Sequence, residues 1–191
     1  SLKIVVLAKQ VPDTRNVGKD AMKADGTINR AALLPLQPED LNALEQALRL
    51  KDAHPGSTVT ILTMGPGRAA DIIREGLFRG ADNVIANDRA FAGADTLATS
   101  YALATAIRKI GECDIIIGGR QAIDGDGTGR SAVAEKLGLT QITYAEEILE
   151  VGDGKQSETS HRGGVRNGRR PSCPSLSQST VRLLPAARVT P

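Results

Sequence analysis

Apolar and polar positions along the chain follow two rhythms. Residues 3–8 (KIVVLA), 58–64 (TVTILTM), 84–86 and 114–118 are short, near-continuous apolar runs rich in Val and Ile. That is the pattern of strands buried on both faces of a parallel sheet. Helical spacing fills the intervals. Pro38 opens a helix running to about Asp52, with Leu41, Leu44 and Leu48 on one face and Glu45–Arg49 as an i,i+4 pair. A second helix is predicted over 68–79, with Ile73 and Leu77 inward. A third spans 95–110, capped by Asp95 or Thr96, with Leu97, Tyr101, Ala104 and Ile107 as its buried stripe. A fourth covers 130–137, and 141–151 reads as a fifth strand. Residues 9–36 carry turn signals (Pro12-Asp13, Asp25-Gly26) and little periodicity, so they read as a long loop. Strands alternating with helices predict an α/β fold: an open, mainly parallel sheet with helices on both faces. Ligands in such folds sit outside the carboxyl ends of the strands. The loops that begin at residues 9, 63, 87 and 119 are therefore the places to look for chemistry.

Composition narrows the function. The 191 residues suit one domain with a sizeable core. Only Phe78, Phe91, Tyr101 and Tyr144 are aromatic, which argues against single-stranded nucleic-acid binding, where bases stack on exposed rings. Cys113 and Cys173 lie far apart without a CxxC, so neither a zinc cage nor a disulfide framework is indicated. No run approaches the roughly 18 apolar residues of a membrane span, and the first strand is too short for a signal peptide. The expected setting is the cytoplasm, with no membrane insertion.

Three stretches could carry a ligand. Residues 118–126 (GGRQAIDGD) follow a strand and precede a helix. Paired glycines admit close approach to the backbone, and the N–H groups opening a helix suit a pyrophosphate. A plain Gly/Asp-rich turn would look the same. Residues 88–100 (DRAFAGADTLATS) put a carboxylate and hydroxyls at another strand exit, which an ordinary helix cap also explains. Residues 65–70 (GPGRAA) fit GxGxxA, a weak dinucleotide signal here. Pro66 has no N–H to donate, and the unit does not follow the first strand of the sheet. There is no GxxxxGK[ST], HExxH or GxSxG. His54 sits at a helix end and His161 in the irregular tail. Asp124 and Asp126 lack the other parts of a hydrolytic site. The sequence favours holding a nucleotide over performing chemistry unaided.

Taken together, KIVVLAKQVPDT, PEDLNALEQALRLKD, TMGP, EGLFRGAD, DRAFAGADTLATSYALA, GGRQAIDGD and VAEKLGLTQITYAEEI resemble, in order and spacing over about 1–150, the beta subunit of electron-transfer flavoproteins. The resemblance implies an adenine-nucleotide-binding, Rossmann-like fold and an alpha-subunit partner that carries the electron-transferring FAD. It implies AMP in the beta site of ordinary members, or a second FAD that accepts a hydride from NADH in electron-bifurcating members. The stretch Asp88–Ser100 is similar to the bifurcating type. By the same resemblance, Ala8, Lys9 and Val11 line the adenosine pocket and Thr63, Met64 and Gly65 form its opposite wall. Asp95, Thr96 and Thr99 lie near the flavin ring. Arg120, Gln121, Ala122, Asp124 and Asp126 belong to the phosphate-side loop, and Gly119 and Thr128, which flank it, are further cofactor-binding candidates. No catalytic residue and no metal ligand is implied, and an acyl-CoA dehydrogenase-type or other redox protein is the expected downstream partner.

Three departures stand out. Gln37-Pro38 replaces the family's Asn-Pro. Residues 127–132 (GTGRSA) replace a T-x-Q-V-G-P-Q run whose amides grip phosphates, with Arg120 where Lys is usual. From residue 155 the chain turns rich in Ser, Arg, Gly and Pro, with seven Lys/Arg against the single acid Glu158. By composition alone this tail reads as disordered, whereas the family continues with a strand pair and an arm that wraps the alpha subunit. The expected organisation is thus a nucleotide-binding domain over 1–154 and an aberrant tail over 155–191. A frameshifted reading of the family C-terminus explains the tail, and DNA that encodes 155–191 in frame would sink that explanation. The competing functions are a redox subunit with FAD, a subunit that holds AMP structurally, and a stand-alone NAD oxidoreductase using the Gly65 turn.

Overall fold

A computed structural model describes residues 1–9, 11–12, 33–34, 38–64, 69–87, 96–119, 128–139, 147–151, 156–161 and 164–169. In chain order these form β1 (Lys3–Ala8), β2 (Val11–Pro12), β3 (Leu33–Leu34), α1 (Pro38–Ala53), β4 (Thr58–Met64), α2 (Ala69–Phe78), β5 (Asn83–Asn87), α3 (Thr96–Ile110), β6 (Ile115–Gly118), α4 (Thr128–Leu137), β7 (Glu147–Val151), β8 (Gln156–His161) and β9 (Gly164–Arg169).

The four apolar runs pair in parallel in the order β5-β4-β1-β6. Side chains alternate across the sheet, and the two sets of buried residues follow that parity. Ile4, Val6, Val59, Ile61, Ile115 and Ile117 pack with Ala43, Leu44, Ala47 and Leu50 of α1 and Ile72 of α2. Val5, Leu7, Leu62 and Ile116 face the other way, against Ile107 of α3 and Val133 and Ala134 of α4. The sheet is thus covered on both faces, as the sequence predicts. Each fully buried Ile or Leu contributes about 1.5–3 kcal/mol of transfer free energy.

Side chains tie down the amino ends of the strands. Ser57 Oγ accepts the Leu2 N–H at 2.7 Å, Asp114 Oδ2 the Lys3 N–H at 2.8 Å and Asp82 Oδ2 the Val59 N–H at 2.7 Å. Each of these residues stands just before a strand that neighbours the one it binds. Cys113 is buried at this same end. Burial pushes its thiol up to about 11, with the Asp114 charge adding to the effect.

Several expectations need correction. On α1 the inward face centres on Ala43, Leu44, Ala47 and Leu50, with Leu41 and Leu48 only flanking it. On α2 the inward residues are Ile72 and Gly76, while Leu77 is 47% exposed. Gly76 sets this rotation, since a Cβ there would overlap Ile61 Cδ1 and crowd Val84 Cγ2 at 3.3 Å. On α3 the buried residues are Ser100, Ala102, Ala104 and Ile107, and Leu97 and Tyr101 are 64% and 61% exposed. The loop over 9–36 contains the two-residue antiparallel ladder β2–β3. α4 begins at Thr128, two residues before the predicted start. Of the expected fifth strand, residues 141–146 lie outside the described residues, and Glu147–Val151 does not extend the parallel sheet. As β7 it heads a separate antiparallel sheet, β7-β8-β9, with Ile148 and Val151 packed against the first core. β8 and β9 lie in the segment whose composition reads as disordered. No helix among the described residues is long and apolar enough to cross a membrane.

Candidate functional site

The strand order reverses at β1. The chain leaves β1 through α1 to β4 and through α2 to β5, then returns through α3 to β6 on the other side of β1. The carboxyl ends of β1 and β6 therefore form the topological switch point, where open α/β sheets bind ligands.

Five of the sequence-predicted residues meet at or beside it. Ala8, buried, ends β1 and pairs in register with Thr63 of β4. Met64, half-buried, ends β4 opposite Asn87 of β5. Lys9 follows β1 with its side chain exposed, and Gly119, buried, follows β6. Val11 lies in β2, paired with Leu34. Thr96 and Thr128 are the first residues of α3 and α4, and Thr99, half-buried, lies in the first turn of α3. Gly65, Asp95, Arg120, Gln121, Ala122, Asp124 and Asp126 fall outside the described residues.

Two features give the site its chemistry. Thr63 shares the β4 face of Val59 and Ile61 and is 0% exposed, yet its Oγ1 has no hydrogen-bond partner among the described residues. An orphaned buried hydroxyl is costly, and a ligand hydroxyl or ring nitrogen set against it would satisfy it. The neighbouring Ala8 is small, and Gly118 at the end of β6 and Gly119 after it have no side chains. These residues fit the nucleoside end of a nucleotide.

The second feature is Asp40, which sequence reasoning missed. It lies in the first turn of α1, is 1% exposed, and its carboxylate bridges two strand exits. Oδ2 accepts the Lys9 N–H at 2.9 Å and Oδ1 the Gly119 N–H at 3.0 Å. An acid in a first helical turn ordinarily complements the helix dipole at the surface, so the sequence offered no signal that this one turns inward.

Several known proteins are similar to this chain over most of its length. The chain is 47% identical over 150 residues to the caffeyl-CoA reductase-Etf complex subunit CarD of Acetobacterium woodii, covering 77% of this chain and 56% of that protein. It is 48% identical over 176 residues to the protein FixA of Azorhizobium caulinodans, covering 85% and 60%. It is 47% identical over 161 residues to the electron transfer flavoprotein subunit beta of Megasphaera elsdenii, covering 80% and 59%. The chain thus spans somewhat over half the length of these relatives. Because the electron transfer flavoprotein domain matches residues 25–165, the chain belongs to the electron transfer flavoprotein family.

Proposed function

We propose that this chain is the beta subunit of a heterodimeric electron-transfer flavoprotein of the bifurcating type. In this reading it holds FAD at the carboxyl edge of its parallel sheet and works only with an alpha subunit that carries its own FAD. The observation that carries the nucleotide reading is the Thr63 hydroxyl, buried beside Ala8 and with no hydrogen-bond partner among the described residues. Support for the bifurcating type comes from the Asp88–Ser100 stretch, and support for an electron-transfer role from the similarity to a subunit of a caffeyl-CoA reductase-Etf complex.

The flavin, when bound, supplies hydride and one-electron chemistry, with NADH as donor and an acyl-CoA dehydrogenase-type protein as one acceptor. The chain's residues position and insulate. Ala8, Lys9 and Val11 on one side and Thr63, Met64 and Gly65 on the other hold the adenosine. Arg120, Gln121, Ala122, Asp124 and Asp126 face the phosphates, with Gly119 and Thr128 as flanking cofactor-binding positions. Asp95, Thr96 and Thr99 approach the ring system, where they set the local polarity.

Adenosine is common to FAD and AMP, so the Thr63 site accommodates either. Co-expression with the alpha subunit, acid release and counting of nucleotides separates the two. Two FAD per heterodimer are expected. One FAD and one AMP would mean an ordinary electron carrier and would overturn the role given to Asp95–Thr99.

A further inference from the structure

The two ladders that share β1 end at different rows. β1 stays in register with β4 as far as Ala8–Thr63, but with β6 only as far as Leu7–Gly118. The crevice at the switch point therefore opens as a fork between β1 and β6. Asp40 stands in that fork. Its two oxygens accept the first N–H beyond each strand, Lys9 at 2.9 Å and Gly119 at 3.0 Å. An aspartate has a short reach, and the packing of α1 brings it there. Ala43 and Ala47 are fully buried against the sheet and, having little side chain, let the helix lie close to it. Lys51 holds the far end of the helix, donating to the Gly80 carbonyl at 3.1 Å and to Asp82 at 2.7 Å. Asp40 itself is 1% exposed, so water does not compete for its two hydrogen bonds.

We infer that Asp40 is a positioning residue of the nucleotide site: it acts from α1 on the backbone at the exits of β1 and β6 and fixes the crevice between them. The inference rests on the nucleotide reading above and adds the group that sets the crevice before a nucleotide arrives. Lys9 and Gly119 are both candidate cofactor-binding positions, so a shift of either backbone is felt by the ligand. A site that holds its competent geometry only part of the time binds more weakly in proportion to that fraction.

The test compares wild type, Asp40→Asn and Ile72→Val in the nucleotide-free heterodimer. Adenosine and AMP are titrated calorimetrically, and hydrogen exchange is followed at the single amides of Lys9 and Gly119. Asp40→Asn keeps the side chain's size but only one acceptor oxygen, so one of the two exits is released. One lost hydrogen bond corresponds to a competent fraction lower by about ten-fold. Both probes should therefore weaken about ten-fold, and one of the two amides should exchange faster. Ile72→Val removes a methyl group from the core beneath α2. It should lower the urea midpoint and leave both affinities and both amides unchanged. If Asp40→Asn also loses stability while affinities and amides stay at wild-type values, its role is structural only. That outcome overturns the inference and leaves the nucleotide reading intact. Wild type that binds neither probe overturns both. Should Asp40→Asn not fold, hydrogen exchange on wild type decides. The amides of Lys9 and Gly119 should be protected before any nucleotide is added, whereas protection that appears only with AMP would overturn the inference.

Discussion

Thr63 and Asp82 show how single side chains divide between ligand and frame. A buried hydroxyl without a partner costs about 1–3 kcal/mol, and Thr63 has none among the described residues. Thr63→Val removes the hydroxyl at nearly constant volume. The nucleotide-free heterodimer should therefore reach a higher urea midpoint at unchanged slope, while AMP binding weakens about ten-fold. A variant that gains no stability and binds AMP normally would show that Thr63 does not face the ligand. Asp82 belongs to the frame. Burial raises its carboxyl, but the Lys51 hydrogen bond and charge and the Val59 N–H outweigh this and hold it below its ordinary 3.8. A depressed carboxyl stabilises the fold above the unfolded value and loses that contribution as pH falls through the folded value. The gap in urea midpoint between wild type and Asp82→Asn should be widest at pH 7 and should narrow below about pH 4. A gap independent of pH would remove the charge from the explanation. At this scale the sequence was only partly legible. Ala8, Lys9, Thr63 and Gly119 could be placed at strand exits because periodicity locates strand ends. Asp40 could not, because the burial of this acid depends on a partner, Gly119, 79 residues away in sequence.

Among the elements, the parallel strands were the most readable, since a strand buried on both faces is a run that needs no choice of face. Helices demand such a choice. In α2 the apolar set Ile72, Ile73 and Leu77 admits two rotations, and Gly76 selects the one in which Ile72 is buried. Gly76→Ala tests this directly. The exchange gains about 1 kcal/mol of helix propensity, but overpacking a filled core costs about 1–3 kcal/mol. Ile61 is fully buried, so its methyl has little room to yield, and a net loss near 1 kcal/mol is expected in urea unfolding. A stabilised variant would mean that α2 rotates freely on the sheet. In α3, small residues pack inward while Leu97 and Tyr101 point outward, with Lys136 of α4 5.8 Å from the Tyr101 ring. Ranking by hydrophobicity chose the large side chains, whereas close helix packing favoured Ser100, Ala102 and Ala104.

At the scale of the molecule, the two larger sheets are made of different sequence. The parallel sheet is apolar through its thickness, whereas β8 (QSETSH) and β9 (GVRNGR) are almost wholly polar. That is why the pattern of the chain announced the first and not the second. Amides protected by a dry core open only with the whole fold, while polar strands open locally. In exchange mass spectrometry, peptides covering 156–169 should take up deuterium well before those covering 3–8, 58–64 and 115–118. Equal rates would make the two sheets one cooperative unit. The family match ends at residue 165, and the frameshift reading of the tail stands as a proposal for DNA sequencing to decide. The ties at the amino-terminal edge of the parallel sheet have a wider consequence. Ser57, Asp82 and Asp114 fix strand alignment at the end remote from any cargo. Insertions and exchanges among the loops of the opposite rim can then accumulate without disturbing the alignment, so one chassis can be refitted for a different passenger.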